Sequence, residues 1–181
     1  DFDAEIHTPS QGDFFNFVKD AEYIGGHNIL NHDLKYLAHL DLGKKKVIDT
    51  LYLSPLMFPM RPSHKLLKDE KILSDALNNP LLDAQKSRDL FYDEVNAFKA
   101  LDDDLKEIFF NLLKDSVEFK AFFEYLGYSL PTKGILRIFQ GGSENKNTAK
   151  LIKKRFEGAI CENADIDNFV AEHPIELAYA L

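Results

Sequence analysis

Gly26-His27-Asn28-Ile29-Leu30-Asn31-His32-Asp33-Leu34 is the stretch on which the reading of this chain turns. Before it, Glu22-Tyr23-Ile24 predicts a brief strand that runs into Gly25-Gly26, residues that favour a turn. After it, a helix is expected over about Asn31–Leu40. A strand, a tight turn and a helix in that order carry His27 and Asn28 at the turn and Asp33 where the helix starts.

Upstream, Asp1-Phe2-Asp3-Ala4-Glu5-Ile6 alternates polar and apolar residues. That period of two predicts a strand with Asp3 and Glu5 on one side and Phe2, Ala4 and Ile6 on the other. His7 to Asp13 reads as a polar turn, followed by a short helix around Phe14–Lys19. Downstream, Val47-Ile48-Asp49 is a second short strand, and Leu51–Phe58 is a helix or loop closed by Pro59 and Pro62. From Leu81 to about Ala100, Ala84, Phe91, Val95 and Phe98 recur at helical spacing, with Pro80 where a first-turn proline is tolerated. Beyond that the pattern is helical throughout. Asp102 can cap a helix carrying Leu105, Ile108, Phe109 and Leu112; Val117–Tyr125 is aromatic-rich; Gly141-Gly142-Ser143 marks a loop; and Ala164–Leu181 is a helix broken near Pro174. The boundary is expected near residue 100, dividing the chain into 1–100 and a helical extension over 101–181.

With 181 residues, 45% of them hydrophobic and 29% charged, the chain can bury one sizeable core, or a core and a helical appendage. A net charge of -8 argues against a surface that grips nucleic acid everywhere. Basic residues are grouped at Lys44, Lys45 and Lys46, and at Lys150, Lys153, Lys154 and Arg155, where a solvated surface is the plain reading. Cys161 is the only cysteine, which excludes a disulfide framework and predicts a buried structural thiol. No apolar run approaches the roughly 18–20 residues of a transmembrane helix, and no signal-peptide pattern is present, so no membrane partner and a cytoplasmic location are expected. No phosphate-cradling Gly-x-x-x-x-Gly-Lys loop occurs. The five phenylalanines Phe109, Phe110, Phe119, Phe122 and Phe123 are expected in a core rather than on a base-stacking platform.

Four carboxylates, Asp3, Glu5, Asp33 and Asp83, fall on a strand and at two helix starts. Carboxylates crowded into one site stay ionised only beside cations, and hard oxygen donors suit magnesium or manganese. Two such ions roughly 3.5–4 Å apart could clamp the attacking and leaving oxygens of a phosphodiester. Each piece also has a plainer reading: Asp3 and Glu5 on a solvated strand face, Asp33 on a helix surface, Asp83 an acidic first-turn residue that the helix dipole favours.

Asp3-Ala4-Glu5, Gly26-His27-Asn28 through Asp33-Leu34, and Leu81-Leu82-Asp83-Ala84 together resemble the three exonuclease motifs of the DnaQ-like DEDD superfamily. Val47-Ile48-Asp49-Thr50-Leu51 resembles the strand that this family carries between its second and third motifs. More closely, Gly26–Tyr36, Asp49–Pro59 and Asn78–Phe98 look like the exonuclease-type region preceding the motor of some bacterial RecQ-type DNA helicases. The resemblance covers roughly residues 1–100. It implies a ribonuclease H-like α/β sheet flanked by helices, two magnesium or manganese ions on Asp3, Glu5, Asp33 and Asp83, and removal of nucleotides from a DNA 3′ end. His27, Asn28 and Lys35 would meet the nucleic acid, and a covalently linked helicase region would follow Leu181.

The chain departs from the family in two ways. Asn78 stands five residues before Asp83, where histidine-type members place their general base, and Asn79 stands at the tyrosine variant's position. An amide accepts no proton near neutral pH, and general-base help is worth roughly 10²–10⁴-fold. His64, His27 and His32 are the candidate stand-ins, although a structural hydrogen bond suits the latter two. The interval from Glu5 to His27 is also too short for the two further strands and the helix of the family. Either the hairpin is lost or a stretch near residues 6–10 is missing from this chain. The competing readings are a catalytically degenerate exonuclease fold that binds nucleic acid or protein, and an unrelated helical interaction module.

Overall fold

The computed structural model describes residues 4–37, 40, 42, 45–66, 79–130 and 143–181. The chain divides into two compact units, 1–95 and 96–181. Among the described residues it is mixed α/β and mostly helical, with one small parallel sheet.

In the first unit, α1 (Gln11–Val18) begins because the Ser10 hydroxyl accepts the Asp13 N–H at 3.2 Å. The sheet pairs β1 (Tyr23–Gly26) with β2 (Lys46–Asp49) in parallel, Tyr23 opposite Lys46 and Gly26 opposite Asp49. Parallel neighbours need a long crossover, and here it holds the His27–His32 turn and α2 (Asp33–Tyr36). Gly26 lies where that turn folds back, and a Cβ there would stand 3.0 Å from Ile29 Cβ, close enough that Ile29 would have to shift. Ile29 and Ile48 are buried. β2 runs straight into α3 (Thr50–Met57), whose Leu53, Leu56 and Met57 are buried and whose N-cap is Asp49. α4 covers Pro80–Ala100, with Asn79 Oδ1 accepting the Leu81 N–H at 3.1 Å.

The second unit holds α5 (Asp103–Leu113), α6 (Lys120–Leu126), α7 (Glu144–Arg155), α8 (Ile166–Glu172) and α9 (Pro174–Ala180). α5 packs on α7 and α9, and α8 packs on both α7 and α9. Asp102, Ser143 and Asp165 cap α5, α7 and α8 with their side-chain oxygens. α6 closes on Gly127, whose φ of 59° is the left-handed conformation that glycine adopts without strain. The core is aromatic. Phe98 meets Phe122, Phe123 and Tyr128 edge-on, with centroids 5.6, 5.7 and 5.3 Å away, and Phe110 meets Phe123 at 5.2 Å. Such pairs contribute roughly 0.5–1.5 kcal/mol each beyond their burial. Phe109, Phe119, Phe122 and Phe123 are buried and Phe110 half-buried, as a core requires.

Several expectations are corrected. Residues 4–6 form no strand, and Asp3 lies outside the described residues. α2 is a single turn, Asp33–Tyr36, rather than a helix to Leu40: Leu37 N bonds back to Leu34 O, which tightens and ends it. Cys161 is exposed because it falls in the turns between α7 and α8. Ala84 is exposed although it shares the apolar spacing of α4. Lys45 and Lys46 do more than decorate a solvated surface. Lys45 Nζ donates to the Lys19 and Ala21 carbonyls, and Lys46 pairs with Glu22 at 2.9 Å, tying β2 to the chain before β1. No described helix is long and apolar enough to cross a membrane.

Candidate functional site

The end of β2 organises the polar residues of the first unit. Asp49 is fully buried, and its carboxylate gathers three backbone donors. Oδ1 accepts from Asn28 N at 2.7 Å and Leu51 N at 2.9 Å, and Oδ2 accepts from Leu30 N at 3.0 Å. One side chain therefore caps α3 and latches the turn that follows β1. Bonds from N–H groups to an ionised acceptor are the short, strong kind. Asn28 sits at φ 62°, a left-handed conformation that asparagine tolerates better than most residues. Its Oδ1 accepts from Asn31 Nδ2 at 3.3 Å, and the same amide donates to the Tyr52 hydroxyl at 3.1 Å.

His27 lies 2.9 Å through Nδ1 from Thr50 Oγ1, which in turn donates to the Gly26 carbonyl at 3.4 Å. Burial holds the His27 pKa below its ordinary value; Asp49 opposes this, and the charge of His64 adds to it. His64 Nδ1 is 2.9 Å from Ser54 Oγ. Ser54 is buried on α3, so this Ser–His contact is a structural bond rather than a nucleophile open to substrate. It engages one nitrogen of the expected stand-in base.

The charge of Asp49 also reaches Glu94 of α4. Glu94 is fully buried, and among the described residues neither carboxyl oxygen has a hydrogen-bond partner. Burial pushes its pKa up to about 9, opposed by Arg61 and reinforced by the negative charges of Asp49 and Asp93. The group is a neutral acid at pH 7. Arg61 itself is exposed, its guanidinium 3.8 Å from the centre of the Phe58 ring.

Asp3 and Asn78 lie outside the described residues. Glu5 is exposed, its Oε1 accepting from Gln85 Nε2 at 2.8 Å and standing 3.9 Å from Arg88 Nη1. Those bonds hold Glu5 to the opening turns of α4, which carry Asp83. Asp83 is exposed in the first turn, where the helix dipole favours an acid. Asp33 is exposed at the start of α2, with His32 3.5 Å away. Lys35 is exposed beside Tyr36, 5.1 Å from its ring centre. As donors, Glu5, Asp33 and Asp83 are the hard oxygens that magnesium and manganese prefer. Among the described residues, however, no group of three His, Cys, Asp or Glu is arranged to hold a metal ion. The structure thus joins Glu5 to the helix of Asp83 and does not gather Glu5, Asp33 and Asp83 at one point.

Two residues escaped the reading of the sequence. Asp49 was legible only as a strand end, although an Asp directly before a helical run is an N-cap signal. Glu94 lies three residues after Phe91 and four before Phe98, on the apolar stripe of α4, and that spacing was the signal that it would be buried.

No protein-family model, curated protein or solved structure matches the chain.

Proposed function

We propose that this chain is an exonuclease-type domain that acts on DNA and is joined to a helicase or a related DNA-repair machine. The observation that carries the reading is the Asp49 latch. It holds His27 and Asn28 at the carboxyl end of a parallel strand pair, with Asp33 opening the next helix. Ligands of open α/β sheets bind outside the carboxyl ends of the strands. The tether between Glu5 and Gln85 adds support, because it links the first acidic segment to the helix of the third. By the resemblance, Asp3, Glu5, Asp33 and Asp83 would hold magnesium or manganese; the described residues leave Glu5, Asp33 and Asp83 apart, so metal binding is the step that the experiment below must establish. Such ions supply activation of a water and stabilisation of a departing oxygen. Within the chain, Asp49 fixes the turn, and His27 and Asn28 would face the nucleic acid from it, with Lys35 on the following helical turn.

A second reading, a nuclease-like fold that binds without cleaving, is favoured by two features. The Glu5 carboxylate is already engaged by Gln85 and Arg88, and Asn78 stands where the resembled family has its base. Titrating manganese calorimetrically and following a 5′-labelled DNA for shortening from its 3′ end separates the two. The exonuclease reading expects metal binding and metal-dependent shortening, with Asp33→Ala and Asp83→Ala each lowering the rate by more than about 100-fold, since even the outer partners of metal ligands cost 10–100-fold. Metal binding without shortening, with activity appearing in Asn78→His, establishes the second reading. A chain that neither binds manganese nor shortens DNA overturns the first.

A further inference from the structure

We propose that Lys146, Lys150 and Lys154 on α7 form a contact row for the phosphate backbone of nucleic acid. The three follow one another at four-residue spacing, so they line one face of the helix over about 12 Å at 1.5 Å per residue. All three are exposed. The opposite face carries the buried Thr148, Ala149, Leu151 and Ile152, which fix α7 against α5 and α8. The row is therefore displayed by a rigid element.

Three cations near the row are spent on ion pairs. Lys153 pairs with Asp167 at 2.8 Å, Arg155 with Asp102 at 3.0 Å, and Lys114 with Glu144 at 3.0 Å. Among the described residues, Lys146, Lys150 and Lys154 have no such pair; Asp167 feels the charge of Lys146 but is bonded to Lys153. Local helix energetics do not account for the row. Lys146 is the third residue after the Ser143 cap, where a capping box would place Glu and the dipole disfavours a cation. Like charges four residues apart oppose the helix by roughly 0.2–0.5 kcal/mol per pair. Only Lys154, in the last turn, is favoured there. Three lysines placed against these preferences, in a chain of net charge -8, are what a contact with an anionic partner would explain.

Evenly spaced, flexible ammonium groups without planar or aromatic companions suit a repeating anion read without base selectivity. An anionic membrane suits the row less well. A helix that lies in a lipid interface inserts its apolar face, and that of α7 is already buried in the core. The inference extends the DNA-directed reading to a second surface, and its test does not depend on cleavage.

The test measures fluorescence anisotropy of a labelled 20-nucleotide strand and of its duplex with the intact chain, in EDTA, across a KCl series. Each neutralised phosphate contributes about 0.9 to the slope of log affinity against log salt for duplex and about 0.7 for single strands. The triple variant Lys146→Gln, Lys150→Gln, Lys154→Gln should therefore lose about 2 to 3 from that slope. Glutamine keeps the helix propensity of lysine. A charge-matched control, Lys65→Gln, Lys99→Gln, Lys120→Gln, should keep the full slope. Equal slopes in the two variants overturn the proposal, as does a wild-type chain that binds phosphatidylserine vesicles but not DNA. Failure of metal-dependent shortening with the slope difference intact would remove the exonuclease reading alone.

Discussion

Asp49 accepts three backbone N–H groups that have no other described partner, so its carboxylate does the work of an N-cap and of a turn clamp at once. Asp49→Ala removes the cap, worth about 1 kcal/mol, and strands two further donors at about 1–3 kcal/mol each. The expected loss is roughly 3 kcal/mol or more, read as a lower urea midpoint with the slope unchanged. A loss below about 1 kcal/mol would mean that water replaces the carboxylate and that the clamp is not what holds the turn. Asn28 belongs to the same device. Its N–H donates to Asp49, and its φ is 62°. Neither role depends on any view of function.

At the scale of the element, the caps decide where helices begin. Asp102 accepts the Leu105 N–H at 2.9 Å and also pairs with Arg155 of α7 at 3.0 Å. Its bond to the Leu105 backbone is the first cause of its lowered pKa, ahead of Arg155. Asp102→Ala is expected to cost about 1 kcal/mol, most of it from the cap, because an exposed ion pair adds little. Thermal melts of Asp102→Ala beside Arg155→Ala check this: the first should fall by a few degrees and the second by much less. Equal falls would put the ion pair ahead of the cap. The long helix α4 shows the limit of pattern reading at this scale. The same stripe that buries Val95 and Phe98 also buries Glu94, a residue whose chemistry the spacing alone ignores.

For the molecule as a whole, Glu94 gives stability a pH dependence with a definite sign. Its folded pKa of about 9 exceeds the ordinary value of 4.5, so the fold favours the protonated form. The associated stability is complete below pH 4.5 and is lost as pH rises toward 9. Asp102 and Asp167 act oppositely, their lowered pKa values giving stability that is present at neutral pH and lost in acid. Facing Glu94 are Arg61, which eases its ionisation, and Asp49 and Asp93, which resist it. Glu94→Gln keeps the shape and cannot ionise. Melting the two proteins from pH 5 to pH 9 should show little difference at the acid end and a growing advantage for the variant, reaching the order of a few kcal/mol. Parallel profiles would show that Glu94 finds a partner and stays ionised.

Composition, periodicity and caps determined much of the local structure without help: both strands, α4 and the Asp102 and Pro174 helix starts are written in neighbouring residues, whereas Leu51–Phe58 read equally as helix or loop. Helix and strand periods, and the hydrogen bonds of a cap, span at most a few positions, so one sequence suffices to read them. Only the tertiary structure decided that Asp49 reaches back to Asn28 and Leu30, that Glu94 is sealed from water, that Cys161 is exposed, and that Glu5 bonds to Gln85 eighty residues away. Each of these depends on which distant segments share a surface, and spacing along the chain carries no record of that distance.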